Sequence, residues 1–258
     1  MIPTLVQQLR SRAVVRQTQV ASLLLALLLA SPLPAQPPGS APASDRFPAP
    51  SARAREVAGA VQSFYDQTRN LSARFHQTYV YKLYERTDRS KGTVVFQKPG
   101  RMRWDYARPN GKVIVSDGER LLVYEPGESG EPGQMVIRKI TEAQLPQALS
   151  FLTGSGRLEE SFRFHLLDPK REGFTSGQVL ELKPIEPSPH FDRILFYVES
   201  DPRLRGLVRR VLIVDPLGNR NRFDFSELRF NRKVPASLFS YLPPPGTRVL
   251  SPVAVQGR

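Results

Sequence analysis

The chain has 258 residues, 40% of them hydrophobic and 24% charged, enough apolar material for one medium core plus extensions. It contains no cysteine, which excludes a disulfide scaffold, a thiolate metal site, a cysteine nucleophile and a lipid-modified N-terminal cysteine. The formal charge of +13 places nucleic acid and anionic membrane among the partners to be weighed.

Residues 1–19 carry Arg10, Arg12 and Arg16 and no acid, and Val20 to Ala30 form an apolar run that includes one polar residue, Ser22. A small, turn-forming stretch, Ser31 to Ala35, follows. This is the layout of a secretory signal, and the run is too short to cross a bilayer, which takes roughly 20 residues of helix. Cleavage is expected after Ala35, which leaves the mature chain at +10, three arginines fewer than the +13 of the whole. An exported basic protein meets lipid headgroups and lipopolysaccharide rather than nucleic acid, and the sequence holds no aromatic-and-basic strand-binding motif. A solvated positive surface with no dedicated partner explains the charge equally well.

Residues 36–50 are rich in Pro, Ala and Ser and read as a flexible tether. Ser51 is a natural N-cap, and Val57, Ala60, Val61 and Phe64 fall at helical spacing behind it. After Asn70 the period changes to two. Leu71, Ala73 and Phe75 alternate with polar residues, and Thr93 to Phe96 form a β-branched run that stops at the turn Lys98-Pro99-Gly100. Arg101 to Tyr106 alternates charge with large apolar groups, so one face of that strand is wet and the other greasy. Turns at Pro109-Asn110-Gly111 and Ser116-Asp117-Gly118 lead into strands at 112–115 and 121–124, the pattern of an antiparallel meander.

Residues 141–152 interrupt it with Leu145, Ala148, Leu149 and Leu152 at helical spacing. Strand signals resume at 162–167, 179–184, 194–199, 207–214 and 222–228, with a short one at 247–250. The total is about eleven strands, an N-terminal helix and a small central helical segment, in a domain spanning 51–252 with a short tail at 253–258. So many half-greasy strands need more cover than two short helices supply. Either the sheet closes into a barrel around a filled core, or it curls around a space its side chains do not fill.

Catalytic patterns are missing. His76, His165 and His190 have no zinc spacing, and Gly154-Ser155-Gly156 lacks the flanking glycines of a nucleophile elbow. No phosphate-binding glycine loop is present, so neither an enzyme nor a cofactor or metal is expected.

Phe96-Gln97-Lys98-Pro99-Gly100-Arg101-Met102-Arg103-Trp104-Asp105-Tyr106, then Val115-Ser116-Asp117-Gly118 and Leu122-Val123-Tyr124, resembles the periplasmic outer-membrane lipoprotein carrier family, LolA. Phe75-His76-Gln77, Leu182-Lys183-Pro184, Asp215-Pro216-Leu217-Gly218-Asn219 and the closing Phe239 and Pro243-Pro244-Pro245-Gly246 follow in the same order. The resemblance implies an incomplete antiparallel barrel whose concave apolar face is lidded by helices and takes the acyl chains of lipoproteins. It implies a soluble monomeric chaperone in the periplasm, served by an inner-membrane ATP-driven release complex and, where one exists, an outer-membrane receptor. On it the lining is expected from Phe75, Val94, Phe96, Met102, Trp104, Tyr106, Val115, Leu122 and Tyr124, and the lid from Phe64, Leu149 and Leu152. Many members carry Arg before the proline of the first motif, bonded to the lid. Here it is Lys98, a latch without the planar fork. A lipid-sensing adaptor on the same fold, with no cargo, is the rival reading.

Overall fold

The computed structural model describes residues 47–128, 130–140 and 156–250. The signal stretch, most of the tether, the segment 141–152 with Leu149 and Leu152, and the tail lie outside the described residues.

Helix α1 (Ala52–Asp66) begins where its capping chemistry dictates, the Ser51 hydroxyl accepting from the Ala54 N–H at 3.1 Å. Strands β1 (Asn70–Tyr81), β2 (Arg86–Gln97), β3 (Arg101–Tyr106), β4 (Val113–Asp117), β5 (Arg120–Glu125) and β6 (Gln134–Lys139) follow as a meander. A one-turn helix α2 (Leu158–Ser161) leads into β7 (Phe162–Leu167), β8 (Gly177–Pro184), β9 (Arg193–Glu199), β10 (Val208–Val214) and β11 (Arg220–Phe230). The short β12 (Arg248–Leu250) comes last. All twelve strands join one sheet in the order β12-β6-β5-β4-β3-β2-β1-β11-β10-β9-β8-β7, open at both ends rather than closed into a barrel. Every pairing is antiparallel except β12 on β6.

Four elements depart from the sequence reading. β6 lies at 134–139, where the sequence reading named no strand, because only Met135 of its six residues is buried and a Gly/Glu/Pro stretch precedes it. β1 and β2 run twelve residues each, well past their apolar segments, since backbone pairing carries a polar hairpin beyond the core. In α1 the buried stripe is Ala54, Val57, Ala58, Val61 and Tyr65, and Phe64 sits half-buried beside it.

Register fixes the faces, since a one-residue slip would exchange them. Phe75, Val94, Phe96, Met102 and Trp104 stand on the inner face with Phe164, Leu180, Leu182, Ile194, Phe196, Val211 and Phe223. Helix α1 packs into this cluster and contacts β7 and β8. Gly206 (φ +90°) lets the β9–β10 loop approach the helix backbone, for a Cβ there would collide with the Ala60 carbonyl.

Candidate functional site

The inner face is built around Trp104, which is 3% exposed. Its ring meets Phe75 at 4.9 Å, Phe223 at 5.3 Å, Phe96 at 5.6 Å and Phe225 at 6.4 Å between centroids. The Phe75 ring can lie across β2 because its pairing partner there is Gly92. A Cβ on Gly92 would collide with the Asp105 carbonyl and stand 2.8 Å from that ring. Tyr106 lies edge-on to Phe75 at 4.9 Å, and burial pushes its phenol up to about 12. The surface is apolar, and burial keeps both Tyr106 and Tyr65 in their neutral forms; the Tyr65 hydroxyl accepts from the Val208 N–H at 3.3 Å.

Phe75, Val94, Phe96, Met102, Trp104 and Tyr106 therefore come together. Val115, Leu122 and Tyr124 do not. They pair with Arg103, with each other and with Val113 on the opposite, outer face. There Val115 and Leu122 line a hollow of about 560 Å³ with Met135, Phe239 and Tyr241. Tyr124 meets the Tyr241 ring at 5.5 Å. The inner-facing residues of that hairpin are Ile114, Leu121 and Val123. Sequence reasoning also passed over Phe223 and Phe225, whose Phe-Asp-Phe alternation was visible, and Tyr79, Leu121 and Phe191. These last three line an inner hollow of about 370 Å³ with Arg138, His190, Ile213, Asp215, Asn219 and Asn221.

A hollow of about 970 Å³ on the outer face has a mixed wall, in which Leu167, Leu195, Leu212 and Val214 stand beside Glu85, Glu172, Glu181, Asp192 and Arg193.

Two contacts hold the layers over the inner face. The Phe64 ring stands edge-on to Phe230 at 5.2 Å. Lys98, in the β2–β3 turn, donates its ammonium to the Tyr65 carbonyl at 2.6 Å and to the Asp66 carbonyl at 3.4 Å. Those are last-turn carbonyls of α1, where the negative helix end favours a cation, and the Tyr65 carbonyl also accepts from the Thr68 N–H at 3.0 Å. Leu158 at the start of α2 adds a third tie, its N–H donating to the Gln62 side chain at 3.0 Å.

Among the described residues no group of three or more His, Asp or Glu side chains could hold a metal ion, and no helix is long and apolar enough to cross a membrane.

The family model described as "Outer membrane lipoprotein carrier protein LolA" matches residues 66–242. An outer-membrane lipoprotein carrier protein of Nitrosospira multiformis is 31% identical over 193 residues, 75% of this chain and 87% of that one. The protein of the same description from Dechloromonas aromatica is 27% identical over 197 residues, covering 75% and 88%. A crystal structure of a LolA superfamily protein from Nitrosomonas europaea overlaps more loosely, with 14% identity, a TM-score of 0.40 and coverage of 72% of this chain and 98% of that one. The match to the family model over most of the sheet, together with the relatives' near-full-length coverage, establishes that this chain belongs to the LolA family.

Proposed function

We propose that this protein is a periplasmic lipoprotein carrier that binds the acyl chains of lipoproteins against the inner face of the sheet and takes them from the inner to the outer membrane. It works by binding and release, with no bond made or broken. The observation that carries the reading is the inner face itself, a continuous apolar surface around Trp104 under a helix tied down by few polar contacts.

Three acyl chains hold on the order of 45 methylenes, each worth about 0.8 kcal/mol against water. That gross figure, about 36 kcal/mol, exceeds the practical ceiling of about 18–21 kcal/mol for non-covalent affinity. Cargo therefore passes directly from one greasy site to another and is not released into water. The aromatic side chains fill the inner face when it is empty, so uptake requires α1 to lift. That cost keeps the carrier's hold weaker than an acceptor's. Lys98 acts as the latch and Phe64 as the inner side of the lid, with Leu149 and Leu152 of the central segment as its second piece. The chain shows no nucleotide-binding motif, so extraction energy comes from an inner-membrane ATP-driven complex, and delivery goes to an outer-membrane receptor where one exists.

Native mass spectrometry of protein taken from a Gram-negative periplasm tests the proposal. The expected species is a one-to-one complex with an acylated polypeptide, on a chain beginning near residue 36. Protein that is always free of acylated cargo, or that retains Met1 in a membrane pellet, contradicts it.

A further inference from the structure

Among the described residues, three of the seven large hydrophobic side chains left in solvent share one end of the sheet, the others being Ile185, Leu242, Val249 and Leu250. Leu83 and Tyr84, at the tip of the β1–β2 hairpin, are 83% and 75% exposed, and Leu217, in the β10–β11 turn, is 79% exposed. The two turns touch. The Lys82 N–H donates to the Asn219 side chain at 2.9 Å, and the Lys82 stem lies where a Cβ on Gly218 would stand 2.8 Å from it. Pairing of Val80 with Arg220 fixes the hairpin and turn at the same end of β1 and β11. None of the three apolar residues belongs to the inner-face cluster or its packed neighbours.

Cations stand behind this tip on the outer face together with carboxylates, for Glu85 and Asp215 line one hollow with Lys82, Leu217 and Arg220. Arg89 pairs with Thr78, and Thr78 with Arg222, in one cross-strand row; Lys91, His76 and Asp224 lie in the next. Arg86 is paired with Asp88 and Arg222 with Asp224. Among the described residues no carboxylate lies within 4.0 Å of Lys82, Arg89, Lys91 or Arg220, all four exposed. Arg222 lies two residues behind Arg220, roughly 7 Å at about 3.3 Å per strand residue. That offset is within a Debye length of about 8 Å at physiological salt, so the row is felt by any charge the tip touches.

We propose that this end of the sheet is a peripheral docking surface for an anionic phospholipid bilayer, with Leu83, Tyr84 and Leu217 entering the headgroup boundary and Lys82, Arg89 and Arg220 facing the phosphates. Leucine and tyrosine flanked by basic side chains partition to such boundaries. A bilayer answers both halves of the surface, the greasy tip and the cationic row behind it. The carrier reading is not needed for this inference, because the residues involved line neither the inner face nor its lid. Docking would bring this end of the sheet against a membrane without committing the chain to it.

The test is co-sedimentation of the exported protein, purified from periplasm, with vesicles of 30% phosphatidylglycerol in phosphatidylcholine and with vesicles of phosphatidylcholine alone. The parent is expected to bind the anionic vesicles at least tenfold better than the neutral ones, and the excess should disappear at high salt. Lys82→Glu/Arg220→Glu should abolish that preference. Leu83→Ser/Tyr84→Ser/Leu217→Ser should weaken binding to anionic vesicles by about tenfold. All five positions are solvent-exposed, so both variants should melt with the parent, and a melt confirms it. Equal binding of the parent to both vesicle types, or unchanged binding in either folded variant, overturns the proposal. A variant that melts early is replaced by the single substitutions Arg89→Gln and Leu83→Ser, read in the same way.

Discussion

The Lys98 ammonium donates to the Tyr65 carbonyl at 2.6 Å, joining the β2–β3 turn to the last turn of α1. One side chain thereby links the sheet's strand motif to the helix over its inner face. Lys98→Ala leaves the Tyr65 and Asp66 carbonyls without this donor and is expected to cost about 1 kcal/mol in urea unfolding. Lys98→Arg should recover most of the loss, since a guanidinium reaches the same acceptors. Full stability in the alanine variant would show that the bond holds nothing.

The outer face has its own tie. Arg103 forks onto Asp105 at 2.7 and 2.9 Å and donates to the Leu238 carbonyl at 3.0 Å. It thereby pins the segment that carries Phe239 and Tyr241 over Val115. Arg103→Ala should raise hydrogen exchange about tenfold or more in residues 236–241 while leaving β7–β9 unchanged. Arg103→Lys should give an intermediate rate, because a single ammonium cannot serve both the carboxylate and the carbonyl. A uniform rise across the domain would mean the contact is global rather than local.

Alkaline pH should loosen the inner face. Burial pushes the Tyr106 phenol up to about 12 from an ordinary value near 10. The folded state therefore holds this proton more tightly than the unfolded chain does. The stabilisation is fully present below pH 10 and is lost as pH rises toward 12, a loss of about 2 kcal/mol. Tyr106→Phe should flatten that part of the stability profile, and an identical slope in parent and variant would reject the assignment.

Gly92 is predicted to be intolerant of any side chain. Its Cβ position is taken by the Asp105 carbonyl and the Phe75 ring. Gly92→Ala should cost about 2 kcal/mol or more by thermal melting, because backbone or a core ring has to move. A variant as stable as the parent would mean that Phe75 has room to tilt away.

Legibility differed from strand to strand for physical reasons. Arg101 to Tyr106 alternates charge and hydrocarbon, so the facing of Met102, Trp104 and Tyr106 was readable, and register confirms that they share a face. In β4 and β5 both faces are apolar, as in Val113-Ile114-Val115 and Leu121-Leu122-Val123, and parity alone could not choose between them. The choice depends on a contact 135 residues away in sequence, Arg103 to Leu238, which covers the outer side. The same distance problem hid Phe223, which pairs with Gln77 of β1 across nearly 150 residues of sequence. Ser51 and the Ser116-Asp117-Gly118 turn were legible because their chemistry is local: the buried Ser116 hydroxyl donates to the Gly100 carbonyl at 2.7 Å and accepts from the Gly118 N–H at 3.1 Å, whereas Lys98, whose acceptor Tyr65 lies 33 residues away, was singled out only through the family resemblance.

Leu121 and Leu122 are sequence neighbours on opposite faces of β5, which makes them the most direct test of where cargo sits. A photo-crosslinking benzoyl-phenylalanine is placed at each in turn, and the protein is irradiated in cells producing a triacylated lipoprotein. The account predicts crosslinks to the acylated lipoprotein from position 121 and none above background from position 122. Crosslinks from 122 and not from 121, or equal crosslinks from both, would contradict binding on the inner face.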